Sequence, residues 1–98
     1  MKQRHVYIKG DVIGVGFRAW AKIQAKTLGV FGWVRNVFEH PDKFGPGGGV
    51  EAVIQGTEER IEDMVEKLKE GPPVSRVDDV EIYEQEAKES FQTFEIRK

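Results

Sequence analysis

Five consecutive residues, Gly14-Val15-Gly16-Phe17-Arg18, have the types and spacing to hold an anion. Glycines let successive backbone N–H groups turn toward one point. The helical pattern that starts at Phe17 would bring the unpaired donors and positive end of a helix N-terminus to the same place. Arg18 falls in that first turn, and a guanidinium can grip two phosphate oxygens at once, a fork that lysine cannot reproduce. The chemistry in view is recognition of a phosphate group. Taken alone, the same run also suits a tight turn followed by a solvated arginine.

Other chemistries are narrowed by the residues around this run. Gly14 to Ala19 satisfies G-x-G-x-x-A as a string, but the dinucleotide fold needs parallel βαβ pairing and more strands than this chain offers, and Glu39 only loosely meets its distal acidic position. No G-x-x-x-x-G-K-[ST] run occurs. The sequence has no cysteine, which removes disulfides, thiolate metal sites and thiolate nucleophiles together. His5 and His40 are too isolated for metal-ligand spacing, so no metal site is expected. The aromatic stretch of RNA-recognition sheets is missing and the net charge is −2, so no nucleic-acid partner is expected.

The elements that must position these residues are set by periodicity. The 98 residues, 39% hydrophobic and 33% charged, suit one globular domain spanning 1–98. Arg4 to Gly10 alternates as a half-buried strand. Phe17, Trp20, Ala21, Ala25 and Leu28 give one apolar helix face, stopped by Gly29. Val30 to Phe38 reads as a second strand, with Trp33 and Trp20 expected as core aromatics. Glu39 to Gly49, with Pro41, Pro46 and four glycines, reads as a loop without regular structure. Val50 to Gln55 is a third strand. Thr57 caps a second helix that buries Ile61, Met64, Val65 and Leu68 and ends at Gly71-Pro72-Pro73. Val77 to Glu84 and Phe91 to Ile96 supply a fourth strand and a short fifth one.

The order β-α-β-β-α-β plus a short strand predicts an α+β, ferredoxin-like sandwich with two helices on one face of an antiparallel sheet. Chain direction then gathers the glycine loop, Asn36, the long loop and Gly71-Pro72-Pro73 at one end. Strand alternation sends Arg35 to the face opposite Asn36. The start of the chain carries no apolar signal core and no stretch reaches 18 apolar residues, so a cytoplasmic protein without a membrane partner is expected.

These residues resemble a known family. Gly10 to Arg18 is similar to the acylphosphatase signature G-x-V-Q-G-V-G-F-R, and Leu28 to Asn36 to its second signature, L-G-L-x-G-W-V-R-N. Val50-Glu51, Gly71-Pro72-Pro73 through Val77, and Phe94-Glu95-Ile96 resemble three shorter stretches in the family's order. The resemblance implies a ferredoxin-like fold and a hydrolase, without metal or other cofactor, that converts acyl phosphates to a carboxylate and inorganic phosphate. It implies that Arg18 binds phosphate, that Asn36 positions the attacking water, and that the loop amides of Ile13, Gly14, Val15, Gly16, Phe17 and Arg18 form the phosphate cradle. A small-molecule acyl phosphate is the expected partner and a monomer the expected state.

Two departures stand out. Ile13 occupies the position of the family's glutamine, and Glu39 to Gly49 replaces a tight turn. One reading of the long loop has it cover the bound substrate or narrow its choice; the other makes it a surface insertion.

Overall fold

The computed structural model describes residues 1–45 and 47–98. The elements run β1 (Lys2–Asp11), α1 (Phe17–Leu28), β2 (Phe31–Val37), α2 (Pro41–Phe44), β3 (Gly49–Gly56), α3 (Glu58–Glu70), β4 (Arg76–Gln85) and β5 (Phe94–Arg97). The sheet order is β4-β1-β3-β2-β5. β1 to β4, the strands of the split βαβ frame, pair antiparallel, as expected. The short fifth strand instead runs parallel to β2, with Val34 opposite Ile96, so the complete sheet is mixed.

α1 and α3 pack on one face of this sheet. Its seam is made by Val6 and Ile8 of β1, Val34 of β2, and Val50, Ala52 and Ile54 of β3, all fully buried. α1 presents Phe17, Ala21 and Ala25, and α3 presents Ile61, Met64, Val65 and Leu68, the stripes expected from their spacing. Each fully buried Val, Ile, Leu, Met or Phe side chain stabilises the fold by about 1.5–3 kcal/mol, and Leu68→Ala would cost about 2–5 kcal/mol. α3 begins where Thr57 Oγ1 accepts from the Arg60 N–H at 3.3 Å, with Glu58 and Glu59 beside the positive helix end. α1 stops at Gly29, whose left-handed backbone returns an N–H to the Ala25 carbonyl.

The long connection between β2 and β3 is more ordered than its composition suggests. Pro41 opens a single helical turn, where the missing proline N–H costs nothing. Phe44 is buried against the sheet face that the helices leave open. That open face also carries Trp33, which corrects its expected place in the core. Gly32, Val34 and Asn36 point toward the helices, so Phe31, Trp33 and Arg35 point away. Trp20 does pack against the core, edge-on to Phe17 at 5.4 Å.

Candidate active site

β1 delivers the glycine loop through a bulge: its register against β4 shifts between Lys9 and Gly10. An extra residue at such a point bends a strand and re-aims the chain beyond it. Val12 then anchors the loop in the core. Gly14 has φ 79° and Gly16 φ 77°, while no residue other than glycine takes a positive φ among the described residues. Gly14, Val15 and Gly16 therefore alternate in the sign of φ, the geometry that turns successive N–H groups toward one anion. A Cβ on Gly14 or Gly16 would meet nothing within 4 Å, so backbone conformation, rather than crowding, demands glycine.

Gly16 is also the N-cap of α1, and no side chain caps that end. Trp20 N–H reaches the Gly16 carbonyl, but among the described residues none of the main-chain amides from 13 to 18 donates to a backbone carbonyl. Six consecutive positions thus hold donors without a main-chain partner at a helix N-terminus. Such groups are rarely left so. Their arrangement can bind a phosphate.

Arg18 and Asn36 join these amides. Asn36 lies on the helix-facing side of β2, opposite Val50, and Arg35 turns to the open face, where its Nε donates to Glu51 Oε1 at 2.6 Å. Gly14, Gly16, Phe17, Arg18 and Asn36 line one hollow of about 200 Å³, with Ile96 also on its wall. Arg4, Arg35, Arg76 and Arg97 each have a carboxylate partner. Among the described residues Arg18, like Arg60, has none. Its charge is left available to an incoming anion.

Not every residue of the expected cradle offers its side chain. Phe17 is buried in the core, and Val15 packs against it, so each can contribute only its N–H. Ile13 faces a different hollow, shared with Phe44, Gly47 and Gly48. None of the described residues of the long loop lines the hollow of Arg18 and Asn36. Gly71, at the end of α3, does arrive nearby: a Cβ there would lie 3.2 Å from the Phe17 ring. Ile96 has no signal in the sequence that would place it here, because a four-residue strand with a distant parallel partner has no local register signature.

Larger hollows lie elsewhere. One of about 580 Å³ on the open face is bordered by His5, Trp33, Phe91 and Arg97. Several of its lining groups are engaged: His5 pairs with Glu51 and Gln85, Gln3 with Gln85 and Gln55, and Arg97 stacks over Trp33 and Phe91. Volume therefore points one way and unpaired donors the other. The donors carry more weight, because a phosphoryl group is small and needs partners.

The family model described as Acylphosphatase matches residues 4–96. The chain belongs to the acylphosphatase family. It is 42% identical over 95 residues to an acylphosphatase of Syntrophobacter fumaroxidans, covering 97% of this chain and 90% of that one. It superposes on the crystal structure of acylphosphatase from Bacillus subtilis with a TM-score of 0.88 at 32% identity, covering both chains completely. It also matches 12% of full-length HypF, solved in a phosphate- and nucleotide-bound form, with a TM-score of 0.80 at 28% identity over 99% of this chain. Membership in the acylphosphatase family makes the protein a hydrolase.

Proposed function

We propose that the protein hydrolyses carboxyl-phosphate anhydrides at the hollow between the glycine loop and β2, acting as one domain over residues 1–98. The observation that carries this reading is the run of unpartnered amides from 13 to 18, beside an arginine without a carboxylate. Arg18 and these amides hold the phosphate oxygens, and Asn36 accepts a hydrogen bond from the attacking water.

The reaction needs little covalent help. An acyl phosphate has a carboxylate leaving group, and phosphoryl transfer through a loose transition state depends on positioning and charge stabilisation. The water oxygen forms a bond to phosphorus as the phosphorus–carboxylate bond breaks, with the electron pair leaving on the carboxylate. A carboxamide is no base at neutral pH, so Asn36 orients the water and the water's proton passes to the phosphate itself. Products are a carboxylate and inorganic phosphate. The chain's own groups suffice for this balance, so turnover is expected without added metal or cofactor.

The same reading takes the protein as a cytoplasmic monomer acting on a small molecule, without nucleic-acid or membrane partners. The net charge of −2 fits the lack of a nucleic-acid partner, and among the described residues no helix is long and apolar enough to cross a membrane. The test is hydrolysis of benzoyl phosphate, followed by ultraviolet absorbance with chelator present. Turnover that Arg18→Ala and Asn36→Ala both remove supports the proposal. A folded protein that binds phosphate without turnover would replace it with a binding module.

A further inference from the structure

The two places where this chain departs from its family's pattern touch each other. Ile13 directs its side chain away from the hollow of Arg18 and Asn36 and toward the long connection: a Cβ on Gly48 would lie 3.2 Å from Ile13 Cδ1. Gly48 is itself held closely, since that same Cβ would fall 2.4 Å from the Val37 carbonyl oxygen. The next residue, Gly49, pairs with Lys9 of β1 and with Val37 of β2. The Phe44 ring lies directly over Gly49 and leaves no room for a side chain there.

The insertion is clamped at its other side as well. Phe44 is buried and its ring centre is 5.7 Å from that of Tyr7. Lys43 Nζ donates to Tyr83 Oη at 3.1 Å and sits 5.0 Å and 4.8 Å from the Tyr7 and Tyr83 ring centres. A path of packed atoms therefore runs from the open sheet face through Phe44 and Gly48–Gly49 to Ile13, the residue immediately before Gly14. At the far end of that path stands a loop with two glycines. Glycine loses more conformational freedom on ordering than any other residue, and the loop amides have no main-chain partner to hold them.

We propose that the insertion is a strut for the phosphate cradle, with Ile13 and Phe44 as positioning residues that fix the Gly14–Arg18 loop from behind. Apolar packing of Ile13 on the insertion takes the place of whatever ordering the family's glutamine supplies beside a tight turn. This inference rests on the phosphate reading of the hollow. A shared packing path is only spatial, so energetic coupling must be measured.

The experiment compares the full chain, Ile13→Ala, Phe44→Ala and the double variant, reading kcat and KM for benzoyl phosphate and the competitive inhibition constant of inorganic phosphate. Each single change is expected to raise KM and the phosphate constant together by about tenfold with kcat nearly unchanged, because the loop is displaced while Asn36 stays in place. The double variant should be no worse than the weaker-binding single, since either change breaks the same path. A second pair replaces residues 38–48 by Asn-Gly, a two-residue hairpin turn. Ile13→Gln should weaken phosphate binding in the full chain and strengthen it in the shortened one. Additive effects, or Ile13→Gln acting alike in both chains, would overturn the proposal. Thermal unfolding checks each variant; if Phe44→Ala does not fold, Phe44→Leu takes its place in the cycle under the same criteria. A wild-type protein that neither binds phosphate nor turns over would overturn the underlying reading and this one with it. A wild type that does both with an additive cycle overturns only the strut.

Discussion

The two ends of the chemistry-bearing surface are built on opposite plans. On the open sheet face, polar groups are paired with each other. Glu51 is bound by His5 and Arg35, and buried Gln55 donates to Gln3 and to the Glu89 carbonyl and accepts from the Phe91 N–H. Lys9 bridges Asp79 and Glu81. Among the described residues no buried side-chain nitrogen or oxygen lacks a partner. At the glycine loop, backbone donors, a guanidinium and a carboxamide converge on a small hollow without such partners. Under the proposed function the smaller hollow, not the larger one, is the site. A paired network holds the sheet together, whereas unpaired donors fixed in place are free to stabilise charge that arrives with a substrate.

The comparison breaks most visibly at Arg18. Arg18→Ala should lower kcat/KM for benzoyl phosphate by at least about 10²–10³-fold, the usual loss for one transition-state donor, while thermal unfolding stays nearly unchanged because the side chain has no carboxylate partner to lose. Asn36→Ala should lower kcat by about 10²-fold, the scale of a misplaced reactant, with KM little altered. An equal loss of stability in either variant would mean that these groups are structural after all.

On the paired side the effects should reverse. Glu51→Gln leaves Arg35 and His5 with a neutral partner and should cost about 1–3 kcal/mol of stability, read by denaturant unfolding, with turnover retained. The clamp on the insertion gives a smaller, pH-dependent effect. Hydrogen bonding by Lys9 holds the Glu81 carboxyl below its ordinary range, with Lys43 adding to the shift. Its folded value lies below its unfolded one, so its contribution is complete above the ordinary carboxylate range and is lost as pH falls through the lowered folded value. The Lys43 ammonium is shifted the other way, chiefly by its hydrogen bond to Tyr83. Its contribution is complete below the ordinary lysine range and is lost as pH rises through the raised folded value. Lys43→Ala should therefore narrow the difference in stability between neutral pH and either extreme. The loss at neutral pH should be small, as for other exposed pairs.

Much of this arrangement was legible from local pattern. The helix stripes at Ile61, Met64, Val65 and Leu68 and the glycine stop at Gly29 follow from spacing and capping alone. The convergence of the glycine loop with Asn36 follows from chain direction, and Arg35 turning away follows from period-two alternation. The features that were not legible depend on distant partners or on two-sided apolar strands. β2 carries apolar residues on both faces, with Phe31, Trp33 and Val37 on one and Val34 on the other. Hydrophobicity alone could not assign Trp33, although Arg35, two residues on, marks its face as the open one. The turn at Pro41–Phe44 was hidden by the surrounding glycines and forms because Phe44 finds Tyr7 across the sheet. The parallel run of β5 and the contact between Ile13 and Gly48 have no local signature in the sequence.

The most direct test of the central claim is a titration of the ¹⁵N-labelled protein with inorganic phosphate, followed residue by residue through its amide resonances. The account predicts saturable shifts concentrated on the amides of residues 13 to 18 and on the Asn36 side chain, abolished by Arg18→Ala. Shifts centred instead on the open face, at Trp33, Phe91 and Arg97, or no saturable shift in the folded protein, would contradict it.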